Sequence, residues 1–335
     1  MVLDAGMSGR SRPGVSVVMP VLDEGPHLAE AVDAILSSEY DGPLEVVLAL
    51  GPSRDDTDDV ARALAAADAR VLLVSNPSGR TASGLNAAIA TASYDVIARV
   101  DGHAIIPSDY LAVAVRTLDE TDADNVGGVM GAEGVTEFEQ AVAAAMRSWF
   151  GVGGAAFHIG GQPGPALTVY LGCFRRSALE RCGGYDESMV RAQDWELNHR
   201  IRSSGGTVWF TPDLHVTYRP RPSLGALARQ YFEYGRWRRE VAQRYPETIS
   251  PRYLAPPITL IGVVAGTALG LAGVAARRPA IAALGFAAPA AYATATAIAT
   301  AKAARVLPWR VARHLPAVFA TMHSSWGAGF LLGAR

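Results

Sequence analysis

Val15-Ser16-Val17-Val18-Met19-Pro20-Val21-Leu22-Asp23-Glu24 is an apolar, β-branched run that meets a proline and ends in two acids. Such a run reads as a buried strand, and the proline and acids read as the loop that closes it. Over residues 27–38, apolar side chains at helical spacing (Leu28, Val32, Ile35, Leu36) predict a helix. The pattern then repeats. Leu44–Leu50 reads as a second buried strand, followed by a polar loop over 51–57 and an alanine-rich helix to about Ala67. A third strand over 71–74, a loop and helix over 76–92, and a fourth strand over 95–100 follow. Strands alternating with helices predict an α/β fold with a parallel, doubly wound sheet. Ligands bind such sheets beyond the carboxyl ends of the strands. Those ends are residues 20–24, 50–55 and 101–103, three polar loops expected to converge on one crevice. Any α/β protein has polar loops there, so no single loop decides anything.

With 335 residues the chain has room for one large α/β domain and something more. Half of the residues are hydrophobic, and the apolar excess sits at the C-terminal end. Residues 219–335 hold 15 Lys and Arg against 3 Asp and Glu, whereas residues 1–218 hold 15 bases and 29 acids. No acid follows Glu247, and the bases beyond it punctuate apolar runs. That pattern favours anionic membrane lipids over nucleic acid as the partner of the basic half. Cys173 and Cys182 lack the spacing of a disulfide framework or a zinc site, which fits a reducing compartment. Residues 1–14 read as a flexible N-terminus without the apolar core of a signal peptide, so the first domain is expected in the cytoplasm.

Residues 127–218 mix glycine-rich loops and short strands with one clear helix over about Gln193–Ser203. Residues 223–245 read as another helix, with Leu224, Leu227, Tyr231, Tyr234 and Trp237 beside Arg229, Arg236, Arg238 and Arg239. That mixture suits a membrane interface or a surface helix docked on the catalytic domain. Residues 256–276 are uncharged for 21 positions, enough to cross roughly 30 Å of hydrocarbon at about 1.5 Å per residue. Arg277, Arg278 and Pro279 interrupt, and residues 280–301 form a second uncharged span. The two spans predict a hairpin whose heavier basic flanks are cytoplasmic. Residues 315–333 are a third apolar stretch, weakened by His323, two serines and several glycines, which would cross, re-enter or lie at the interface. Alanine-rich core helices of a soluble protein are the plainer alternative.

Three short segments carry candidate chemistry. Asp101-Gly102-His103 follows an apolar strand, so a carboxylate and an imidazole at i and i+2 could share a divalent cation; alone, the pattern is more often a turn. Asp194 opens the helix over 193–203 as an ordinary capping or first-turn acid, or as a general base. Asn76-Pro77-Ser78-Gly79-Arg80-Thr81 offers backbone N–H groups and a guanidinium to phosphate oxygens but lacks P-loop spacing.

Taken together these residues resemble the family-2, GT-A-fold glycosyltransferases, in particular the membrane-bound subgroup similar to succinoglycan-biosynthesis glucosyltransferases. The likeness runs over about 15–237. Residues 15–24 resemble the opening strand and P-x-x-N-E loop, with Asp23 in place of Asn, and Ser53-Arg54-Asp55-Asp56-Thr57 resembles the S-T-D-G-T turn. Residues 80–86, ending at Asn86, resemble the basic segment before the metal motif, and Asp101-Gly102-His103 stands at the D-x-D position. Gly183-Gly184-Tyr185-Asp186-Glu187 resembles G-G-F-D-E, Gln193-Asp194 stands at the E-D motif, and Glu233-Tyr234-Gly235-Arg236-Trp237 resembles Q-x-x-R-W.

The resemblance implies a GT-A catalytic domain with a doubly wound mixed sheet over 15–222. An amphipathic interface region over 223–252 and a membrane region of two or three hydrophobic segments over 253–335 would follow. It further implies an inverting transferase that moves a hexose from a nucleotide-diphosphate sugar, UDP-linked by expectation, to a polyprenyl-linked or glycolipid acceptor in cell-envelope or exopolysaccharide synthesis. Asp194 would be the catalytic base. Pro20, Val21, Glu24, Ser53, Asp55, Arg80, Asn86 and Asp101 would bind the donor, Asp101 and His103 a Mg²⁺ or Mn²⁺ ion, and Gln193, Arg236 and Trp237 the acceptor or diphosphate. The protein would be a multi-pass membrane protein with its catalytic domain cytoplasmic. Leu50 and Gly51 stand where relatives often place an acid for the base, His103 replaces the second metal carboxylate, and Glu233 replaces the Gln of processive synthases. A non-catalytic membrane protein retaining a sugar-nucleotide fold is the competing class. A dinucleotide-dependent oxidoreductase would need a G-x-G-x-x-G turn after the first strand, and residues 20–25 have none.

Overall fold

A computed structural model describes residues 12–333. The flexible segment expected over 1–14 lies outside the described residues up to 11; residues 12–14 carry no regular structure. In sequence order come β1 (Val15–Val21), α1 (Gly25–Leu36), β2 (Leu44–Leu50), α2 (Thr57–Ala67), β3 (Val71–Ser75), α3 (Thr81–Thr91), β4 (Val96–Arg99), α4 (Tyr110–Thr121) and β5 (Asn125–Ala132). Next are α5 (Glu137–Met146), α6 (Trp149–Val152), α7 (Ala156–Ile159), β6 (Gly164–Pro165), β7 (Tyr170–Arg175), α8 (Arg176–Cys182), α9 (Gln193–Ser203) and β8 (Val208–Tyr218). Helices α10 (Leu224–Arg244), α11 (Pro251–Ala275), α12 (Pro279–Ala303), α13 (Trp309–Ala312) and α14 (Leu315–Leu332) complete the chain. They form two compact units. One is built from the chain up to Gly131 with Gly160–Thr217, the other from Ala132–Ile159 with the chain from Tyr218 onward. The segment 132–159 therefore interrupts the first unit and belongs to the second.

The first unit holds one mixed sheet of eight strands in the order β3-β2-β1-β4-β7-β5-β8-β6. β1 pairs in parallel with β2 (Val15 opposite Leu44) and with β4 (Val15 opposite Val96), and β2 pairs in parallel with β3. β7 lies antiparallel to both β4 and β5. The parallel half follows from its sequence: strands covered on both faces read as continuous apolar runs, and Val15, Val17, Val18 and Met19 are all buried. α1 covers one face with Leu28, Ala31, Val32 and Ile35, a 3–4 spacing that puts all four on one side of the helix. The expected strands and helices of this half are present with ends displaced by a few residues. In residues 127–218 the structure adds α5, α6, α7 and α8 to the single helix expected. α5 starts on a complete capping box, with Thr136 accepting from the Glu139 N–H and Glu139 from the Thr136 N–H.

The second unit is helical. Ser223 caps α10 through its hydroxyl, which accepts from the Ala226 N–H at 3.3 Å. α11 and α12, each 25 residues, meet in a turn where Arg277 takes φ +56°. Both are long and apolar enough to cross a membrane, and they are the two such helices among the described residues. A soluble core helix would hide its large side chains, whereas Ile258, Val264 and Leu284 are 64%, 61% and 71% exposed. Apolar surface of that extent associates the chain with a membrane. α14 behaves differently: Leu315, Val318, Phe319 and Met322 are buried, and the His323 ring joins the Tyr292 hydroxyl (3.0 Å) to the Phe150 carbonyl (2.9 Å).

Candidate active site

The loops after β1 and β2 are stitched together by short polar side chains. Asp23, at φ +55°, takes the Arg54 N–H at 2.7 Å and its guanidinium at 3.1 Å, while its own N–H donates to Ser53 Oγ at 3.1 Å. Asp55 accepts from the Gly25 N–H at 3.1 Å and from both the N–H and the hydroxyl of Thr57. The Thr57 hydroxyl, first of these, and the backbone donors hold the Asp55 carboxyl below its usual range. Pro20 and Val21 close β1, and the Val21 carbonyl receives the Gly51 N–H at 2.8 Å. The structure thus brings Pro20, Val21, Ser53 and Asp55 to one end of the sheet.

Glu24 reaches from this junction to the loop after β4, where its Oε1 lies 2.7 Å from His103 Nδ1. Gly102 makes the approach possible, because a Cβ there would stand 3.0 Å from Glu24 Cγ. Glu24 and His103 thus pair a carboxylate with an imidazole, and Asp101 stands two positions before His103 with its carboxylate on Arg99. Among the described residues no three His, Cys, Asp or Glu side chains are set to hold a metal by themselves. A Mg²⁺ or Mn²⁺ ion bound mainly through substrate oxygens needs only one or two protein carboxylates, and hard oxygens from Asp101 and Glu24 meet that requirement. The donor set fits such an ion.

The centre of the site is a residue that belongs to none of the motifs above. Arg99, the last residue of β4, is 7% exposed, and its guanidinium binds Asp101 Oδ1 through Nε (3.0 Å) and Nη2 (2.9 Å) while Nη1 donates to Asp194. Burial works against its charge, but Asp101 and Asp194 outweigh it and hold the guanidinium pKa well up. The available signal was a lone arginine inside the run Val96-Ile97-Ala98-Arg99-Val100, since a charge in a buried strand must be paired.

Asp194 lies in the first turn of α9, but the cap position belongs to Ala192, at φ +61° and without a side-chain bond. Its carboxylate is spent on Arg99, not on helix N–H groups. The surrounding protein raises the Asp194 carboxyl above its ordinary value; Arg99 pulls it back and Asp101 pushes it further up. Its side chain keeps 42% of its surface exposed, so an incoming hydroxyl can reach it. Gln193, beside it, is buried with an Oε1 that has no hydrogen-bond partner among the described residues.

The loop before α9 is pinned by α3. Asn86 commits both ends of its amide, accepting from the Tyr185 N–H at 2.8 Å and donating to the Tyr185 carbonyl (2.9 Å) and Glu187 Oε1 (3.0 Å). Ser83 donates to the other Glu187 oxygen at 2.8 Å, and Arg80 reaches the Glu187 carbonyl at 3.4 Å. Tyr185 is buried, and its hydroxyl pKa is raised by that burial and then by the Asp194 charge. Of the expected acceptor residues, Gln193 stands in this unit. Arg236 and Trp237 lie on α10 in the other, where Arg236 donates to the Gly333 carbonyl (2.9 Å) and to Glu233 (3.0 Å).

A half-parallel mixed sheet whose strand-end loops gather acids and short polar side chains is the GT-A arrangement of nucleotide-sugar transferases. The family description "Glycosyl transferase family 2" matches residues 16–183. A succinoglycan biosynthesis protein, ExoA, of Rhizobium meliloti strain 1021 is 35% identical over 224 residues, 66% of this chain and 68% of that one. The glycosyltransferase AglE of Haloferax volcanii is 23% identical over 232 residues, 67% of this chain and 72% of that one. A mannosyltransferase of Pyrobaculum calidifontis, solved with GDP-Man and Mn²⁺, has the same fold with a TM-score of 0.58 at 22% identity, covering 96% of this chain and 86% of that one. The chain belongs to glycosyltransferase family 2.

Proposed function

We propose that the protein transfers a hexose, with inversion, from a UDP-linked sugar to a polyprenyl-linked or glycolipid acceptor during exopolysaccharide or cell-envelope synthesis. The observation that carries this reading is the Arg99 bridge. One guanidinium fixes Asp101 beside the donor loops and Asp194 at the start of α9, so a donor-side acid and an acceptor-side acid are held in fixed relation. Pro20, Val21, Glu24, Ser53, Asp55, Arg80 and Asp101 hold the donor, while Asn86 keeps the 185–187 loop in place beside it. A divalent cation would be held by Asp101 and His103, with Glu24 alongside, and when bound would supply positive charge for the departing nucleoside diphosphate.

Asp194 accepts the proton of the acceptor hydroxyl as that oxygen bonds to the anomeric carbon and the bond to the diphosphate breaks. Displacement in one step, without a second nucleophilic carboxylate, inverts the configuration, so an α-linked donor gives a β-glycoside. The likeness to a succinoglycan biosynthesis protein supports the exopolysaccharide assignment. The α11 and α12 hairpin, with bases on its outer flanks, supports a multi-pass protein whose catalytic unit is cytoplasmic. Purified full-length protein, assayed against UDP- and GDP-sugars for release of nucleoside diphosphate, should turn over a UDP-sugar and stop when EDTA is added. Full activity in excess EDTA would remove the cation, and turnover of GDP-sugars alone would remove the UDP assignment.

A further inference from the structure

A second cluster of bases lies within the helical unit and uses none of the residues assigned above. Arg238, in α10, is 6% exposed, and its guanidinium stands 3.8 Å from the centre of the Tyr253 ring. One of its nitrogens donates to the Thr248 carbonyl at 2.5 Å and to the Thr248 hydroxyl at 3.0 Å. Arg252 holds its guanidinium 5.3 Å from the centre of the same ring but is exposed. One tyrosine therefore carries two guanidiniums, a buried one and a solvent-facing one, in the first turn of α11.

The position of Arg252 is prepared by the segment 132–159. Gly153 lies beneath its stem: a Cβ there would stand 2.9 Å from Arg252 Cγ and 3.3 Å from both Cδ and Nε. Gly153 also takes φ +63°, so the site favours glycine on two counts. His158, a few residues on, has a buried Nδ1 with no hydrogen-bond partner among the described residues. Burial first, and then the Arg252 charge, hold its ring neutral at ordinary pH, down to a pKa of about 3. A neutral imidazole with a proton on Nδ1 can donate to an oxyanion. Arg252 in turn lowers the Arg238 pKa, after burial, so the like charges oppose one another. Among the described residues no carboxylate pairs with Arg252. Two bases held over one ring, the exposed one without a carboxylate partner among the described residues, are the arrangement that an incoming phosphate relieves.

We propose that Arg252, Arg238, Tyr253 and His158 form a site for the phosphate or diphosphate ester of a membrane lipid, at the start of the first apolar helix. This deepens the reading of a membrane-presented acceptor and rests on it. The same chemistry is carried by an isoprenyl diphosphate, the reactive end of a lipid-linked acceptor, and by the headgroup of bulk anionic phospholipid.

The test uses full-length protein in phosphatidylcholine nanodiscs, with tryptophan fluorescence as the readout, since Trp149 borders the Gly153-Gly154 turn. Farnesyl diphosphate should bind, inorganic pyrophosphate should compete, and Arg252→Gln should weaken farnesyl diphosphate by about tenfold, the loss of one charge-assisted contact. Arg252→Lys, which keeps the charge and loses the fork, should weaken it less. Gly153→Ala, which crowds the arginine stem without touching any charge, should weaken it in the same direction. If Arg252→Gln reduces binding to phosphatidylglycerol vesicles but not to farnesyl diphosphate, the site takes bulk headgroups. Unchanged binding of both probes overturns the site, and so does an equal loss in Arg310→Gln, which removes an exposed charge elsewhere on the same unit. UDP-sugar binding by the wild-type protein is read in parallel. Its absence would count against the transferase reading above and leave the farnesyl diphosphate result standing.

Discussion

Two arginines, one in each unit, show how the same side chain is put to different use. Arg99 is buried in the sheet and meets two carboxylates that the chain itself provides. Arg252 stands exposed over a tyrosine in the helical unit, and among the described residues no acid answers it. Where the fold supplies the counter-charge, the guanidinium orders other residues, and its removal should be felt as misplaced chemistry and lost stability. Where the fold withholds it, the guanidinium waits for an anion from outside, and its removal should be felt as lost binding.

The largest effect should come from the acid that Arg99 orients. Asp194→Asn keeps the shape of the side chain and removes its basicity, so turnover should fall by about 10²- to 10⁴-fold with donor affinity little changed. Near-normal turnover would return Asp194 to a first-turn acid. The pH dependence has a definite sign. Desolvation by the surrounding protein raises the Asp194 carboxyl above its ordinary value although part of the side chain is exposed, and the base works only when ionised, so kcat/KM should rise with pH along an acid limb placed above that of an ordinary aspartate. The same raised pKa means that this group favours the folded state at low pH, a contribution lost as pH climbs through the folded value. An acid limb below the ordinary aspartate range would show that Arg99 dominates over desolvation.

Arg99→Met should act next. It leaves Asp101 and Asp194 facing one another without a cation, which costs about 2–3 kcal/mol, less than a fully buried pair because Asp194 keeps 42% of its surface exposed. Thermal or denaturant unfolding of Arg99→Met, Asp194→Asn and the double variant measures this. The double variant should recover part of the loss, and strict additivity would mean that the two residues are not coupled.

The parallel half of the fold was legible because its signals are local. Each of β1, β2 and β4 is an apolar run with a loop signal after it, and burial on both faces produces that run. The antiparallel half was not, because the insertion of β7 between β4 and β5 depends on pairing partners far apart in the chain and leaves no mark in any window. α5 was within reach, since Thr136 followed by Glu139 is a capping-box pattern. That residues 132–159 belong with the C-terminal helices is a property of packing alone.

The site divides in the same way. Asp101 and Asp194 stood out by position, whereas Arg99 joins them across 95 positions and could be suspected only from a charge in a buried strand. The resemblance implies Asn86 as a donor-binding residue, and the structure shows its amide bonded to Tyr185 and Glu187 in the 185–187 loop, contacts that span 99 to 101 positions.

The central claim is a single displacement at the anomeric carbon with Asp194 as the base, and the stereochemistry of the product tests it most directly. Wild-type protein supplied with a UDP-α-hexose and a lipid acceptor should give a β-glycoside, read from the anomeric proton coupling of the isolated product by NMR. An α-glycoside would require a second displacement or an attack from the leaving-group side and would contradict the account.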